Sequence, residues 1–122
     1  MPDPTPDPTP APAPDLLDRI EATIRGRRSG DPDASYVARL TARGRAAIAQ
    51  KLGEEAVEAV IAAMGDDPAA IVPEAADLVF HLLVLLADAG LRLDDVRAEL
   101  ARREGTGGLD EKAGRAAARA GD

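Results

Sequence analysis

The sequence predicts an all-α fold, a bundle of four to five helices that is completed by pairing with a second copy of the chain. Apolar residues recur at helical spacing through most of the chain, and no stretch alternates between apolar and polar residues as a strand does. Residues that end helices, such as Gly44 and Gly90, divide the sequence into segments of helical length. Only Tyr36 and Phe80 are aromatic, so the core is small and aliphatic, which favours dimerisation.

One domain is predicted, spanning residues 15–104. Residues 1–14 repeat proline with aspartate, threonine and alanine and have almost nothing to bury, so we expect a disordered tail. Residues 105–122 open with three glycines in four positions and carry little apolar bulk, and we expect a flexible C-terminal tail.

The first half of the domain is predicted to hold three helices. Asp15 caps the first helix, Ser35 caps the second, and Gly44 separates the second from a long helix that runs from about Arg45 to Met64. On the long helix, the positions expected to face inward are Ala47, Ile48, Leu52, Val57, Val60, Ile61 and Met64.

The second half is predicted to hold two more helices. Asp67 and Pro68 have the residue types of an N-cap and a first helical position. Pro73 either bends this helix or marks a later start, near Val72. From position 78 the helix is apolar nearly all round, which is typical of a helix buried on most sides. A last helix covers about 94–104.

Composition excludes several classes of function. The chain has no cysteine, so it has neither disulfides nor thiolate metal sites. A net charge of −7 disfavours nucleic-acid binding and suits a protein that gathers carboxylates around cations. The strongly apolar run at 78–87 is interrupted by His81 and is short for a bilayer span, so we expect a soluble, cytoplasmic protein that does not bind membranes.

Two pairs of carboxylates stand out on consecutive predicted helices. Glu55 and Glu58 are three residues apart, as are Glu74 and Asp77, and this spacing places the members of each pair on one helix face. If the helices pack antiparallel, the two pairs face each other, and four converging carboxylates require a neutralising cation. Oxygen ligands favour Mg²⁺.

Other interpretations of these carboxylates carry less weight. A Glu-x-x-Glu pair alone is commonly a solvated surface pair, but no basic residue lies between Pro68 and Arg92 to partner the second pair. Zinc is disfavoured by a single histidine and no cysteine. A ferritin-like di-iron centre is excluded, because it needs Glu-x-x-His and the residue three before His81 is Leu78.

The pattern Glu-Glu-x-x-Glu followed by Glu-x-x-Asp resembles the all-α nucleoside triphosphate pyrophosphatase superfamily, whose members use Mg²⁺. Within it, IAQKLGEEAVE at 48–58 and EAADLVFHLLVLL at 74–86 are similar to the phosphoribosyl-ATP pyrophosphatase family, as are Ser35-Tyr36 and residues 93–100. The resemblance covers about 16–104 and departs mainly in the tails and at Pro73.

This resemblance implies a homodimeric enzyme of histidine biosynthesis that hydrolyses phosphoribosyl-ATP to phosphoribosyl-AMP and pyrophosphate. It implies Mg²⁺ held by Glu55, Glu58, Glu74 and Asp77, with Glu54 as an outer ligand or as the base. The catalytic set is therefore expected to be Glu54, Glu55 and Glu58.

Several further residues have a functional and a structural interpretation. Lys51 either contacts a phosphate or forms a helix-surface ion pair with Glu54 or Glu55. Arg39, Arg43 and Arg45 near the predicted bend either receive an anionic substrate or are solvated. His81 is interpreted as a core residue, with support of Asp77 as its functional variant.

Two other functions stay open from sequence. One is a house-cleaning pyrophosphatase of the same superfamily, which would share the metal ligands and differ in base and ribose contacts. The other is a non-catalytic helical dimerisation module with an acidic surface, which metal-dependent release of pyrophosphate would exclude.

Overall fold

A computed structural model describes residues 13–104 and confirms the all-α fold. The expected tails lie almost wholly outside the described residues, at 1–12 and 105–122. Between residues 13 and 104 there are five α-helices, one short 3-10 helix and no strand. The helices are α1 (Leu16–Arg27), α2 (Tyr36–Arg43), α3 (Arg45–Ala63), α4 (Ile71–Asp88) and α5 (Leu93–Glu104), with the 3-10 turn Pro68–Ala70 before α4.

The predicted helix ends are confirmed by side-chain caps. The Asp15 carboxylate accepts from the amide of Asp18, whose own side chain accepts from the amide of Asp15, a reciprocal capping box. Ser35 caps α2 in the same way, accepting from the amide of Ala38. Gly44 has a φ of 95°, a conformation that favours glycine, and so separates α2 from α3 without a loop.

The structure agrees with the second alternative for Pro73, a helix that starts near Val72. The helix begins at Ile71, directly after the 3-10 turn that Asp67 caps. Pro73 therefore occupies the third position of α4, within the first turn, where a backbone N–H has no acceptor inside the helix. The missing N–H of Pro73 therefore leaves no hydrogen bond of α4 unmade.

Helices α3 and α4 form the antiparallel centre of the bundle. Arg45 at the start of α3 bonds to Asp88 at the end of α4, and Arg28 from the end of α1 reaches the same carboxylate. The core side chains come from the first four helices and are aliphatic, namely Ile24, Val37, Leu40, Ile48, Leu83, Val84, Leu86 and Ala87.

Helix α5 forms ion pairs and hydrogen bonds with α1. The Arg97 guanidinium donates to Asp15 and Asp18 at the start of α1, at 2.9 and 2.6 Å. The amide of Leu93 donates to Glu21 Oε2 at 2.6 Å. No residue of α5 is fully buried, but Leu93 and Val96 pack against the edge of the core and add to these polar contacts.

The expected burial of the second half of α3 is wrong for a single chain. Val57, Val60, Ile61 and Met64 are 57–79% exposed. Their spacing of three and four residues places them on one helix face, and we call this set the α3 stripe. Periodicity identified a face that avoids water, but it does not say which molecule covers that face.

Helix α4 and its leading turn are long and apolar enough to cross a membrane by length and composition, with a mean hydropathy of 1.9 over the selected part of Pro68–Asp88. Core helices of soluble proteins pass the same test. Here α4 packs against α1, α2 and α3 and contributes more buried side chains than any other described helix.

Candidate functional site

Three glutamates converge where α3 and α4 face each other. One carboxylate oxygen from each of Glu55, Glu58 and Glu74 lies within 4.8 Å of the others. Glu55 is buried, Glu74 is half-buried and Glu58 is exposed, so the group opens to solvent on one side. We call these three residues the acidic cluster.

The carboxylates of the acidic cluster repel one another. Repulsion from the Glu55 carboxylate raises the pKa of Glu58, and contact with Glu74 adds to this. Glu55 itself is held ionised, because the Lys51 ammonium 3.1 Å away lowers its pKa. Lys51 is the one cation that the described chain places against the acidic cluster, and it leaves most of the negative charge unbalanced.

Two oxygens of the acidic cluster have no hydrogen-bond partner. Glu55 Oε2 and Glu74 Oε2 are both buried from solvent, and no donor within residues 13–104 reaches either of them. Buried carboxylate oxygens are costly to leave unpaired. A hard divalent cation coordinates carboxylate oxygens at a partly open site, and the acidic cluster fits such an ion.

The fourth predicted ligand is not within this group of three. Asp77 lies on α4 one turn after Glu74, and its side chain is exposed. Glu54 is also exposed and outside the group; its carboxylate accepts from Gln50 at 3.1 Å and lies 3.7 Å from Lys51. The structure therefore brings together three of the predicted residues, with Glu54 and Asp77 one and three positions away along their helices.

Behind the acidic cluster, His81 is buried and bonded on both ring nitrogens. Nδ1 lies 2.7 Å from the backbone carbonyl of Asp77, which only accepts, so Nδ1 carries the proton. Nε2 forms the second hydrogen bond, with the Tyr36 hydroxyl at 2.7 Å. His81 is thus a satisfied core residue, and it supports Asp77 through the backbone rather than through the carboxylate.

Tyr36 makes polar contacts as well as packing contacts. Burial raises the pKa of its hydroxyl, and the charges acting on it most strongly are those of Lys51 and Glu55. Its ring lies 6.3 Å from that of Phe80 between centroids. Sequence offered no signal for the bond between Tyr36 and His81, because 45 residues separate the two.

Of the predicted substrate arginines, Arg45 is engaged elsewhere, at the far end of α4. Arg45 is bonded to both the side chain and the backbone of Asp88, and it begins α3 ten residues, or about 15 Å, before Glu55. Arg43 ends α2 and is exposed. The Arg39 guanidinium lies 5.9 Å from the centre of the Tyr36 ring.

Residues 17–104 match the family described as Phosphoribosyl-ATP pyrophosphohydrolase. The match covers the acidic cluster, Lys51 and the pair formed by Tyr36 and His81. The chain belongs to this family.

Curated members of the family align over most of their length. A protein of Rhizorhabdus wittichii named Phosphoribosyl-ATP pyrophosphatase is 64% identical over 99 residues, which is 81% of this chain and 93% of the relative. Proteins with the same name from Erythrobacter litoralis and Novosphingobium aromaticivorans are 61% identical over 99 residues and 59% identical over 101 residues. These alignments cover 81% and 83% of this chain and 95% and 94% of the relatives.

Proposed function

We propose that this chain is a soluble, cytoplasmic hydrolase of histidine biosynthesis that cleaves phosphoribosyl-ATP to phosphoribosyl-AMP and pyrophosphate, with Mg²⁺ held by Glu55, Glu58, Glu74 and Asp77. Family membership supports the reaction. The pair of buried, unpartnered oxygens on Glu55 and Glu74 carries the proposal for the site.

The acidic cluster supplies the ligands from two rigid helices. Glu55 and Glu74 come from opposite sides of the antiparallel pair, so their oxygens keep their spacing as long as α3 and α4 stay packed. Asp77 is exposed and one turn after Glu74, so the two side chains share one face of α4. When bound, Mg²⁺ offsets the charge on the departing pyrophosphate.

Lys51 and Glu54 are the other two residues to which we assign a role in the reaction. The Lys51 ammonium faces the acidic cluster, 3.1 Å from Glu55, and is 36% exposed, so a phosphate oxygen entering from solvent meets it directly. We assign to Glu54, which is exposed and adjacent in sequence to Glu55, the role of the base that removes a proton from the attacking water.

We further propose that the working enzyme is a homodimer. The α3 stripe leaves four large apolar side chains in water, and Val72 on α4 is 68% exposed as well. Contiguous apolar surface of this kind marks interaction sites. The stripe begins at Val57, next to Glu58, so a partner seated there lies beside the acidic cluster.

Release of pyrophosphate from phosphoribosyl-ATP tests the proposed reaction. The purified chain is assayed with phosphoribosyl-ATP and, separately, with ATP and dUTP, each with Mg²⁺ and with a chelator. We expect release from phosphoribosyl-ATP only with Mg²⁺, with phosphoribosyl-AMP as the second product. Faster hydrolysis of dUTP would identify a house-cleaning enzyme, and no hydrolysis of any substrate would exclude a pyrophosphatase.

A further inference from the structure

A concave site lies between α1, the start of α2 and the middle of α4. It is a cavity of about 410 Å³, within the size range of small-molecule sites. Its walls are mainly apolar, from Ile20, Ile24 and Val37, with the rings of Tyr36 and Phe80 at one side. None of the residues of the acidic cluster lines it.

Two arginines line this apolar cavity. Arg19 and Arg27 are eight residues apart on α1, about 12 Å along the helix, and both line it. Neither guanidinium forms an ion pair with a carboxylate of residues 13–104; Arg19 instead donates to the Pro14 carbonyl at 3.0 Å. The cavity thus combines an aromatic wall with two arginines that have no carboxylate partner within residues 13–104.

Tyr36 joins this cavity to the acidic cluster. Its ring lines the cavity, while its hydroxyl is hydrogen-bonded to His81, which bonds in turn to the backbone of Asp77. The charges of Lys51 and Glu55 both act on the pKa of the Tyr36 hydroxyl, so this hydroxyl lies near Glu55 while the ring lines the cavity.

We propose that this cavity binds the part of the substrate that does not react: the nucleobase against Tyr36 and Phe80, and the phosphate of the additional phosphoribosyl group at Arg19 and Arg27. The proposal rests on the proposed function, since it assumes that the triphosphate occupies the acidic cluster. A flat base suits an aromatic and aliphatic wall, and guanidinium groups bind phosphate through paired N–H donors. This site separates phosphoribosyl-ATP from ordinary nucleoside triphosphates, which lack the second sugar phosphate.

Equilibrium binding of the reaction product tests the cavity independently of turnover. Phosphoribosyl-AMP and AMP are titrated by calorimetry into the full chain with Mg²⁺. Arg19→Gln and Arg27→Gln should each weaken phosphoribosyl-AMP binding about ten-fold, the effect of losing a charge-assisted contact, and leave AMP binding within about two-fold. Arg92→Gln, an exposed arginine between α4 and α5, is the control and should change neither.

A blocked cavity provides the second test. Thr23 is exposed, lines the cavity and bonds only to the Arg19 carbonyl within its own helix. Thr23→Phe fills the space with a ring, so binding of both nucleotides should fall while Mg²⁺ still raises the melting temperature as in the parent. Helical circular dichroism confirms that the variant is folded.

The outcomes separate the two proposals. If the arginine variants bind phosphoribosyl-AMP like the parent, or if Thr23→Phe alters the oligomeric state without affecting nucleotide binding, the cavity is not the substrate subsite. If the parent binds phosphoribosyl-AMP through these arginines but releases no pyrophosphate from phosphoribosyl-ATP, the subsite stands and the proposed reaction fails.

Discussion

Replacing Glu55 by glutamine is the perturbation for which the structure gives the clearest expectation. The change keeps the size of a buried side chain and removes one negative charge from the acidic cluster. It has two separable consequences, one for the metal-free protein and one for the effect of Mg²⁺.

Without metal, the stability of Glu55→Gln should stay close to that of the parent. The variant loses attraction to Lys51 at 3.1 Å and loses repulsion from two carboxylates within 4.8 Å. Coulomb energy falls with distance, so the attraction at 3.1 Å offsets about three quarters of two repulsions at 4.8 Å. We expect a melting temperature in EDTA within about 5 °C of the parent.

With Mg²⁺, the parent and the variant should diverge. At a Mg²⁺ concentration a hundred times its Kd, the parent gains about 2.7 kcal/mol, or roughly 10–20 °C in melting temperature for a domain of this size. Losing a direct ligand should weaken Mg²⁺ binding at least about 100-fold, since residues that merely orient ligands contribute about 10–100-fold. At the same concentration the variant then gains only about 0.4 kcal/mol, or roughly 2–3 °C.

Differential scanning fluorimetry across a Mg²⁺ series measures both effects. Glu104→Gln, at the exposed end of α5, removes the same charge far along the sequence from the acidic cluster and should respond to Mg²⁺ like the parent. An equal Mg²⁺ response in Glu55→Gln and the parent would show that Glu55 is not a ligand.

Three other predictions concern the acidic cluster, the end of the bundle and the dimer. Repulsion from Glu55 raises the pKa of Glu58 above its ordinary value of 4.5. In EDTA, the contribution of Glu58 to stability is therefore complete below pH 4.5 and is lost as the pH rises through the raised pKa. Chemical denaturation of Glu58→Gln should lack this dependence of stability on pH. Asp88→Asn removes the charge that accepts from Arg28 and Arg45 in a carboxylate only 14% exposed, and should lower the melting temperature by roughly 5–10 °C. Ile61→Glu places a charge in the α3 stripe, so sedimentation should report a monomer at concentrations where the parent is dimeric; a monomeric parent would remove the basis for the proposed dimer.

Local signals in the sequence predicted the helices well. The caps at Asp15, Ser35 and Asp67 and the glycine at 44 act within a few residues, so their effect is readable without the fold. The convergence of α3 with α4 also followed from local information, since a short connection favours antiparallel packing and a spacing of three fixes the face.

The sequence did not predict which individual side chains from distant segments contact each other. The bond from Tyr36 to His81 and the pairing of Arg45 with Asp88 depend on how α2 and α4 cross and on where α3 begins. The α3 stripe shows the same limit: its apolar spacing is that of a buried face, but burial within one chain stops at Glu55. Spacing along a helix places side chains on a face, and only tertiary or quaternary packing decides what that face meets.

Turnover of phosphoribosyl-ATP by single amide variants of the proposed Mg²⁺ ligands is the decisive measurement. Pyrophosphate release is measured with saturating Mg²⁺ for the parent, Glu55→Gln, Glu74→Gln, Asp77→Asn and the control Glu104→Gln. The account predicts that kcat falls at least about 100-fold in the three site variants, with helical content unchanged and Glu104→Gln equal to the parent. Parent-like turnover by both Glu55→Gln and Asp77→Asn would contradict it.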